Sequence, residues 1–217
     1  MIGACSGLLL GCSGNTAQQS LPGADGGVVS TCVPADCSAL SRTTSASDMA
    51  LSGGDCNVVA HTVTGLSALH VTVCAPLGYP DNPPAGGNHY PVWGAFQSYS
   101  FAVPRGFWVH DLEHGAIVFS YNCADGCPDE VAQVQALIDA LPSDPLCDGD
   151  PPRRVVMTPD PELDVRWGAS AWGHSLRADC VDADRFRQFY SAYFGQGPEE
   201  LCVQGSDFDG TPPCQTN

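Results

Sequence analysis

The residue types in this sequence best suited to chemistry are two histidines and a glutamate in one short string. His110, Glu113 and His114 occur in the segment His-Asp-Leu-Glu-His-Gly at 110–115. Residues four apart on a helical turn share a face, so both imidazoles could bind the same metal ion. A third histidine, His89, lies in a loop whose prolines and glycines restrict the backbone. The sequence therefore predicts a histidine-rich site for one transition-metal ion.

The chemistry of these side chains limits which metal ions could bind, but it is compatible with three different functions. Neutral imidazoles suit copper or zinc better than magnesium or calcium, which prefer oxygen ligands. We expect one such ion bound by His89, His110 and His114, with His70 as a candidate fourth ligand. Glu113 then orients a ligand imidazole or is itself an occasional ligand. Alternatively, it acts as the base of a metal-dependent hydrolase or oxidoreductase. In the third alternative the histidines only pack, within a structural cell-surface module that binds no metal.

Strands and helices around these histidines must hold them in place. Runs of β-branched and apolar residues predict strands at 58–64, 69–73, 116–121, 154–158 and 169–173. Apolar residues at helical spacing, after an acidic or proline start, predict helices at 128–141 and 182–194. The 24 glycines and 18 prolines indicate many irregular connections. We therefore expect an α+β fold with a small mixed or antiparallel sheet and two main helices, loop-rich and stapled by disulfides.

The charge of the chain excludes two classes of partner. Its formal net charge is −16, with 24 acidic residues against eight arginines and no lysine. A nucleic-acid-binding protein needs a basic surface to contact phosphates, so we expect no nucleic-acid partner. Anionic lipid surfaces are disfavoured for the same reason, so membrane attachment is expected only through a covalent lipid anchor.

Cysteine content and the first residues both indicate export. Twelve cysteines are too many for a reducing cytosol, and they form no paired zinc-knuckle spacing, so we expect disulfides. The sequence Leu-Leu-Gly-Cys at 9–12 ends a short apolar run and resembles the lipobox of a bacterial lipoprotein signal. Residues 1–12 are therefore predicted to be this signal, with Cys12 lipidated. The protein is expected to be extracytoplasmic, either lipid-anchored to a bacterial membrane or periplasmic or secreted.

Length and composition predict one folded domain behind a tether. A chain of 217 residues can bury one core with some appended irregular structure. Residues 13–57, rich in small polar residues, are predicted to be an irregular tether and extension, and residues 58–217 a single globular domain. Spacing predicts only the local disulfides, such as Cys32–Cys37 and Cys123–Cys127.

Residues 66–200 resemble an uncharacterised bacterial family of exported and membrane-tethered proteins, domain of unknown function three-one-zero-five. The resemblance is carried by the Pro-Pro-x-x-Gly-x-His-Tyr-Pro loop at 83–91, by the His-x-Leu-Glu-His-Gly segment at 110–115, by Ala-Trp-Gly at 171–173 and by Pro-Glu at 198–199. It implies that His89, His110, Glu113 and His114 form one spatial site, and His70 matches a histidine upstream of the loop. The resemblance implies no named activity, and it identifies no small-molecule or protein partner.

Overall fold

The computed structural model describes residues 56–210 and 213–214, together with the backbone of three short strands at 18–22, 28–32 and 49–50. The chain divides into two compact units, residues 1–45 and 46–217. In the first unit, β1 (Gln18–Pro22) pairs antiparallel with β2 (Val28–Cys32). The predicted signal at 1–12 with Cys12, most of the predicted tether, and the predicted Cys32–Cys37 pair lie outside the described residues.

The second unit is built on one mixed sheet. Its strands are β3 (Met49–Ala50), β4 (Val58–Thr62), β5 (Ile117–Tyr121), β6 (Val155–Pro159), β7 (Trp167–Ala171) and β8 (His174–Ala178). The order across the sheet is β3-β4-β8-β7-β5-β6, and every neighbouring pair is antiparallel except β5 and β6. The helices of the described part are α1 (Arg105–Glu113), α2 (Pro128–Asp139) and α3 (Ala183–Tyr193). The predicted α+β fold with a mixed sheet is confirmed.

Strand β5, which is second from one edge of the sheet, is buried on both faces, because its alternating side chains enter two different cores. Ile117 and Phe119 pack in the core that contains the buried residues of α2 and α3. Val118 points the other way, into a core that contains Trp108 and Leu112 of α1. Helix α1 therefore lies on one face of the sheet and the other two helices lie on the opposite face.

Helix α1 is an addition to the two predicted helices, and its burial explains why the pattern did not reveal it. Eight of its nine residues are buried, from Gly106 to Glu113. A helix that is buried all round has no polar face, so it lacks the amphipathic spacing that marks a surface helix. Its N-terminus has no side-chain cap and no acidic residue in the first turn, so those signals are missing too.

The other differences between the predicted and the observed structure concern single strands. The predicted strand at 69–73 is wrong, since this segment makes only an isolated bridge between His70 and His89. Strand β8 was not predicted, because its sequence His-Ser-Leu-Arg-Ala is short and largely polar. It follows β7 through a tight turn at Gly173, whose φ of +79° favours glycine.

Disulfides connect distant parts of the domain. The four present in the described residues are Cys56–Cys180, Cys74–Cys214, Cys123–Cys127 and Cys147–Cys202. The predicted Cys123–Cys127 pair is confirmed, and so many disulfides favour an extracytoplasmic location. Among the described residues, none of the helices is both long enough and apolar enough to span a bilayer.

Removing a long-range disulfide should cost more stability than removing the local one. A disulfide stabilises mainly by closing a loop in the unfolded chain, and Cys56–Cys180 spans 124 positions whereas Cys123–Cys127 spans four. We expect Cys56→Ala/Cys180→Ala to lower the free energy of unfolding by roughly 3 kcal/mol more than Cys123→Ala/Cys127→Ala. Urea denaturation of both variants measures this difference, and equal losses would contradict it.

Candidate metal centre

Helix α1 supplies two of the site residues and is held close to the loop that supplies a third. His110 and Glu113 lie three residues apart on α1, so they share a face, and they are only 3% and 5% exposed. The loop approaches at Gly106, where a Cβ atom would lie 2.4 Å from the Tyr90 ring. The Tyr90 backbone N–H donates to the Gly106 carbonyl over 2.9 Å. The absence of a side chain at Gly106 therefore allows His89, the neighbour of Tyr90, to reach the helix.

A short backbone bridge brings His70 beside His89. The Val71 N–H donates to the His89 carbonyl at 2.8 Å, and the His89 N–H donates to the Leu69 carbonyl at 3.1 Å. These two bonds flank His70 and place its ring 4.9 Å from the ring of His89. The segment at 69–73, which was predicted to be a sheet strand, thus holds His70 beside His89 instead.

The four side chains converge on one point. His70, His89, His110 and Glu113 each offer one ligand atom, and these atoms all lie within 4.8 Å of one another. Glu113 Oε2 lies 3.0 Å from Nε2 of His89, 3.7 Å from Nε2 of His70 and 3.8 Å from Nε2 of His110. Three imidazole nitrogens therefore surround a single carboxylate oxygen.

Backbone carbonyls determine which ring nitrogen of two histidines faces that point. His89 Nδ1 lies 2.8 Å from the Gly87 carbonyl oxygen, and His110 Nδ1 lies 2.6 Å from the Tyr90 carbonyl oxygen. Because a carbonyl only accepts, both Nδ1 atoms must carry the proton and donate. In the neutral rings, both Nε2 atoms then present a lone pair toward the Glu113 oxygen. Lone pairs facing a carboxylate repel it unless a shared proton or a cation lies between them.

Burial keeps two of the histidines neutral. It lowers the pKa of His110 from 6.5 to about 4, with the neighbouring His114, His89 and His70 acting in the same direction. Burial likewise lowers the pKa of His114 to about 4. At neutral pH both imidazoles are therefore uncharged, which is the form that binds a metal ion.

His114 lies beside this group but contributes no atom to it. Its ring is 4.6 Å from that of His110, and its Nε2 lies 3.6 Å from Oε2 of Glu199. Its Nδ1 is buried without a hydrogen-bond partner, unlike Nδ1 of His89 and His110. It therefore lacks the carbonyl contact that orients the other two rings. Its spacing from His110 and the family resemblance placed His114 in the predicted ligand set, whereas in the structure its Nε2 faces Glu199.

The site has one exposed side and an aromatic wall. The side chain of His70 is 50% exposed, whereas those of His89, His110 and Glu113 are at most 6% exposed. The Trp93 ring lies 5.1 Å from that of His110 and 4.7 Å from that of His114. The sequence offered Trp93 only as a surface on which a histidine of the motif could pack, and it gave no role to the carbonyls of Gly87 and Tyr90. Their position within the Pro/Gly-rich loop or directly after it was the only available signal.

The stability of the metal-free protein should fall between pH 6.5 and pH 4. The folded-state pKa of His110 and His114 is about 4 against 6.5 in the unfolded chain, so the unfolded chain binds more protons throughout that interval. At pH 5 the free energy of unfolding should be lower by at most about 2 kcal/mol for each histidine.

Urea midpoints measured after chelation, from pH 8 to pH 5, test this expectation. The His110→Gln/His114→Gln variant should show a smaller slope between pH 6.5 and pH 5 than the wild type, whatever its stability at neutral pH. Equal slopes in the wild type and in the variant would contradict the expectation, which concerns these two histidines alone.

Comparison with known proteins identifies the family of this chain. The sequence model of the family described as Protein of unknown function (DUF3105) matches residues 70–204. The matched region starts at His70 and includes His89, His110, Glu113 and Glu199, so the whole candidate site lies within it. No curated protein and no solved structure matches the chain. Since the family model covers more than half of the sequence and agrees with the resemblance of the loop and helix motifs, the chain belongs to the family Protein of unknown function (DUF3105).

Proposed function

We propose that this is an extracytoplasmic protein that binds one ion of zinc or copper through His70, His89, His110 and Glu113. The observation that carries the proposal is the convergence of three imidazole Nε2 atoms on the Glu113 carboxylate oxygen. Two of these imidazoles are oriented by backbone carbonyls, the outer contact that metal-binding histidines usually make. The disulfides of the domain support the location.

The spacing of the ligand atoms suits a four-coordinate ion. Ligands about 2.0–2.1 Å from a tetrahedral zinc ion lie about 3.3 Å from one another. The distances from Glu113 Oε2 to the three Nε2 atoms are 3.0, 3.7 and 3.8 Å. These three values bracket the tetrahedral spacing, and all four ligand atoms lie within 4.8 Å of one another. Side-chain rotation would therefore bring them onto one ion.

The chemistry of the ligands supports zinc or copper. Three imidazole nitrogens and one carboxylate oxygen form a set of intermediate softness, typical of Zn²⁺ and Cu²⁺. Magnesium and calcium would require more oxygen ligands. The set contains no thiolate, and Met157, which carries a soft thioether, lies in β6 within the apolar core.

The position of Glu113 favours a ligand role over that of a general base. A base that activates metal-bound water stands off the metal, outside the ligand set. Glu113 Oε2 instead lies among the three Nε2 atoms, 3.0 Å from the nearest. The alternative of a metal-dependent enzyme would need an open coordination position, and half-exposed His70 is the ligand whose departure would create one.

We further propose that Cys12 carries a lipid anchor. This proposal rests on the Leu-Leu-Gly-Cys sequence and on the acidic charge, which disfavours direct binding to anionic membranes. An anchored protein would hold its metal site in the extracytoplasmic space at a membrane surface.

Metal titration with matched variants tests the proposal. Isothermal titration calorimetry of the chelator-treated protein with Zn²⁺, and separately with Cu²⁺, should show one site. The His110→Ala and Glu113→Gln variants should each bind at least about tenfold more weakly, since each loses a ligand. His174→Ala is the control, because His174 stacks on Tyr193 at 3.8 Å and belongs to no part of the site. Absence of binding by the wild type, or equal binding by His110→Ala, would contradict the proposal.

A further inference from the structure

The C-terminal segment 195–208, here called the strap, is fastened to the end of the metal-site helix. The Gly195 N–H donates to the Gly115 carbonyl, and the Glu199 N–H donates to the Glu113 carbonyl, each over 2.9 Å. Between them, a Cβ atom on Gly197 would lie 2.2 Å from the Glu113 carbonyl oxygen. The strap therefore starts in direct backbone contact with a proposed ligand residue.

The strap then pairs with the segment that carries Trp93. The indole Nε1–H of Trp93 donates to the Val203 carbonyl at 2.9 Å. The Ser206 N–H donates to the Trp93 carbonyl at 3.0 Å, and the Ala95 N–H donates to the Ser206 carbonyl at 2.7 Å. These bonds fix both the backbone and the ring of Trp93. The ring in turn lies against His110 and His114, so the strap determines where this wall of the site stands.

One disulfide anchors the strap at the point where it holds the indole. Cys202, which bonds to Cys147, directly precedes Val203, the acceptor of the Trp93 N–H. The loop that contains Cys147 is itself rigidly held, because the buried Asp144 carboxylate accepts from Arg154 Nε at 2.6 Å. Arg154 also donates to the His114 carbonyl. The 144–147 loop is thus connected to the site in two ways. Asp144 bonds to Arg154, which bonds to His114, and Cys147 is joined to the strap by the disulfide.

We propose that the Cys147–Cys202 disulfide positions Trp93 over His110 and thereby slows release of the bound metal ion. The inference rests on the proposed metal binding. Without the disulfide, the strap loses its covalent anchor beside Val203, and the indole N–H loses a fixed acceptor. The Trp93 ring then moves more freely, which exposes His110 to incoming chelators. The disulfide is a positioning element of the site and does not touch the ion.

The rate at which zinc is lost measures this effect. The protein is loaded with Zn²⁺, mixed with excess EDTA in a stopped-flow instrument, and release is followed by Trp fluorescence and by a zinc-sensitive dye. Cys147→Ser/Cys202→Ser should release zinc about fivefold faster or more, the change expected from losing one fixed hydrogen bond at the wall. Cys123→Ser/Cys127→Ser, which also lacks one disulfide, is the matched control and should release zinc at the wild-type rate.

The Trp93→Phe variant tests the same link without changing a disulfide. It removes the indole N–H while keeping an aromatic ring, so it should accelerate release to a similar extent. Combining it with Cys147→Ser/Cys202→Ser should add little, because both changes break one chain of contacts. If the disulfide variant does not fold, an unchanged rate of zinc release in Trp93→Phe is still sufficient to overturn the proposal.

Failure of the proposed role of the disulfide can be distinguished from failure of the proposed metal binding. One bound zinc with an unchanged release rate in Trp93→Phe, or acceleration as large in Cys123→Ser/Cys127→Ser as in Cys147→Ser/Cys202→Ser, would overturn this inference alone. Absence of zinc binding by the wild type would overturn the proposed function together with it.

Discussion

Burial of the Glu113 carboxylate is the constraint on which the rest of the site depends. Glu113 is the last residue of α1 and is 5% exposed, so its charge is added to the partial negative charge at a helix C-terminus. A buried carboxylate in that position is strongly disfavoured without a compensating positive charge. Its nearest neighbours are imidazoles, two of which turn a lone pair toward it in their neutral form. Negative potential and nitrogen lone pairs therefore meet at one point. A divalent cation bound there would stabilise this arrangement.

The fold delivers these groups through backbone contacts more than through side-chain packing. Helix α1 lies on a sheet whose strand β5 is covered on both faces, which fixes the positions of His110 and Glu113 relative to the sheet. The Tyr90 backbone contacts Gly106 and His110 at once, so the loop that carries His89 has one register against the helix. The short bridge at His89 then adds His70. His89, His110 and Glu113 are thus each held by a residue that is not a ligand, and His70 is held against the His89 backbone. These contacts preorganise the site.

Sequence reasoning found the ligand residue types because their signals are local. The spacing of His110 and Glu113 and the restricted loop around His89 are visible in a few residues. The orientation of His114 depends on Glu199, and the position of Trp93 depends on Val203, more than 80 and 100 positions away along the chain. Three of the four disulfides span 55 to 140 positions, so their pairing required the fold. Helix α1 was not predicted because full burial removes the amphipathic pattern.

X-ray absorption spectroscopy of the zinc-loaded protein shows whether His70, His89, His110 and Glu113 bind one ion. We expect nitrogen and oxygen ligands at about 2.0–2.1 Å from the zinc ion, with the outer-ring scattering of about three imidazoles. A sulfur shell at about 2.3 Å, or scattering from fewer than two imidazoles, would contradict it.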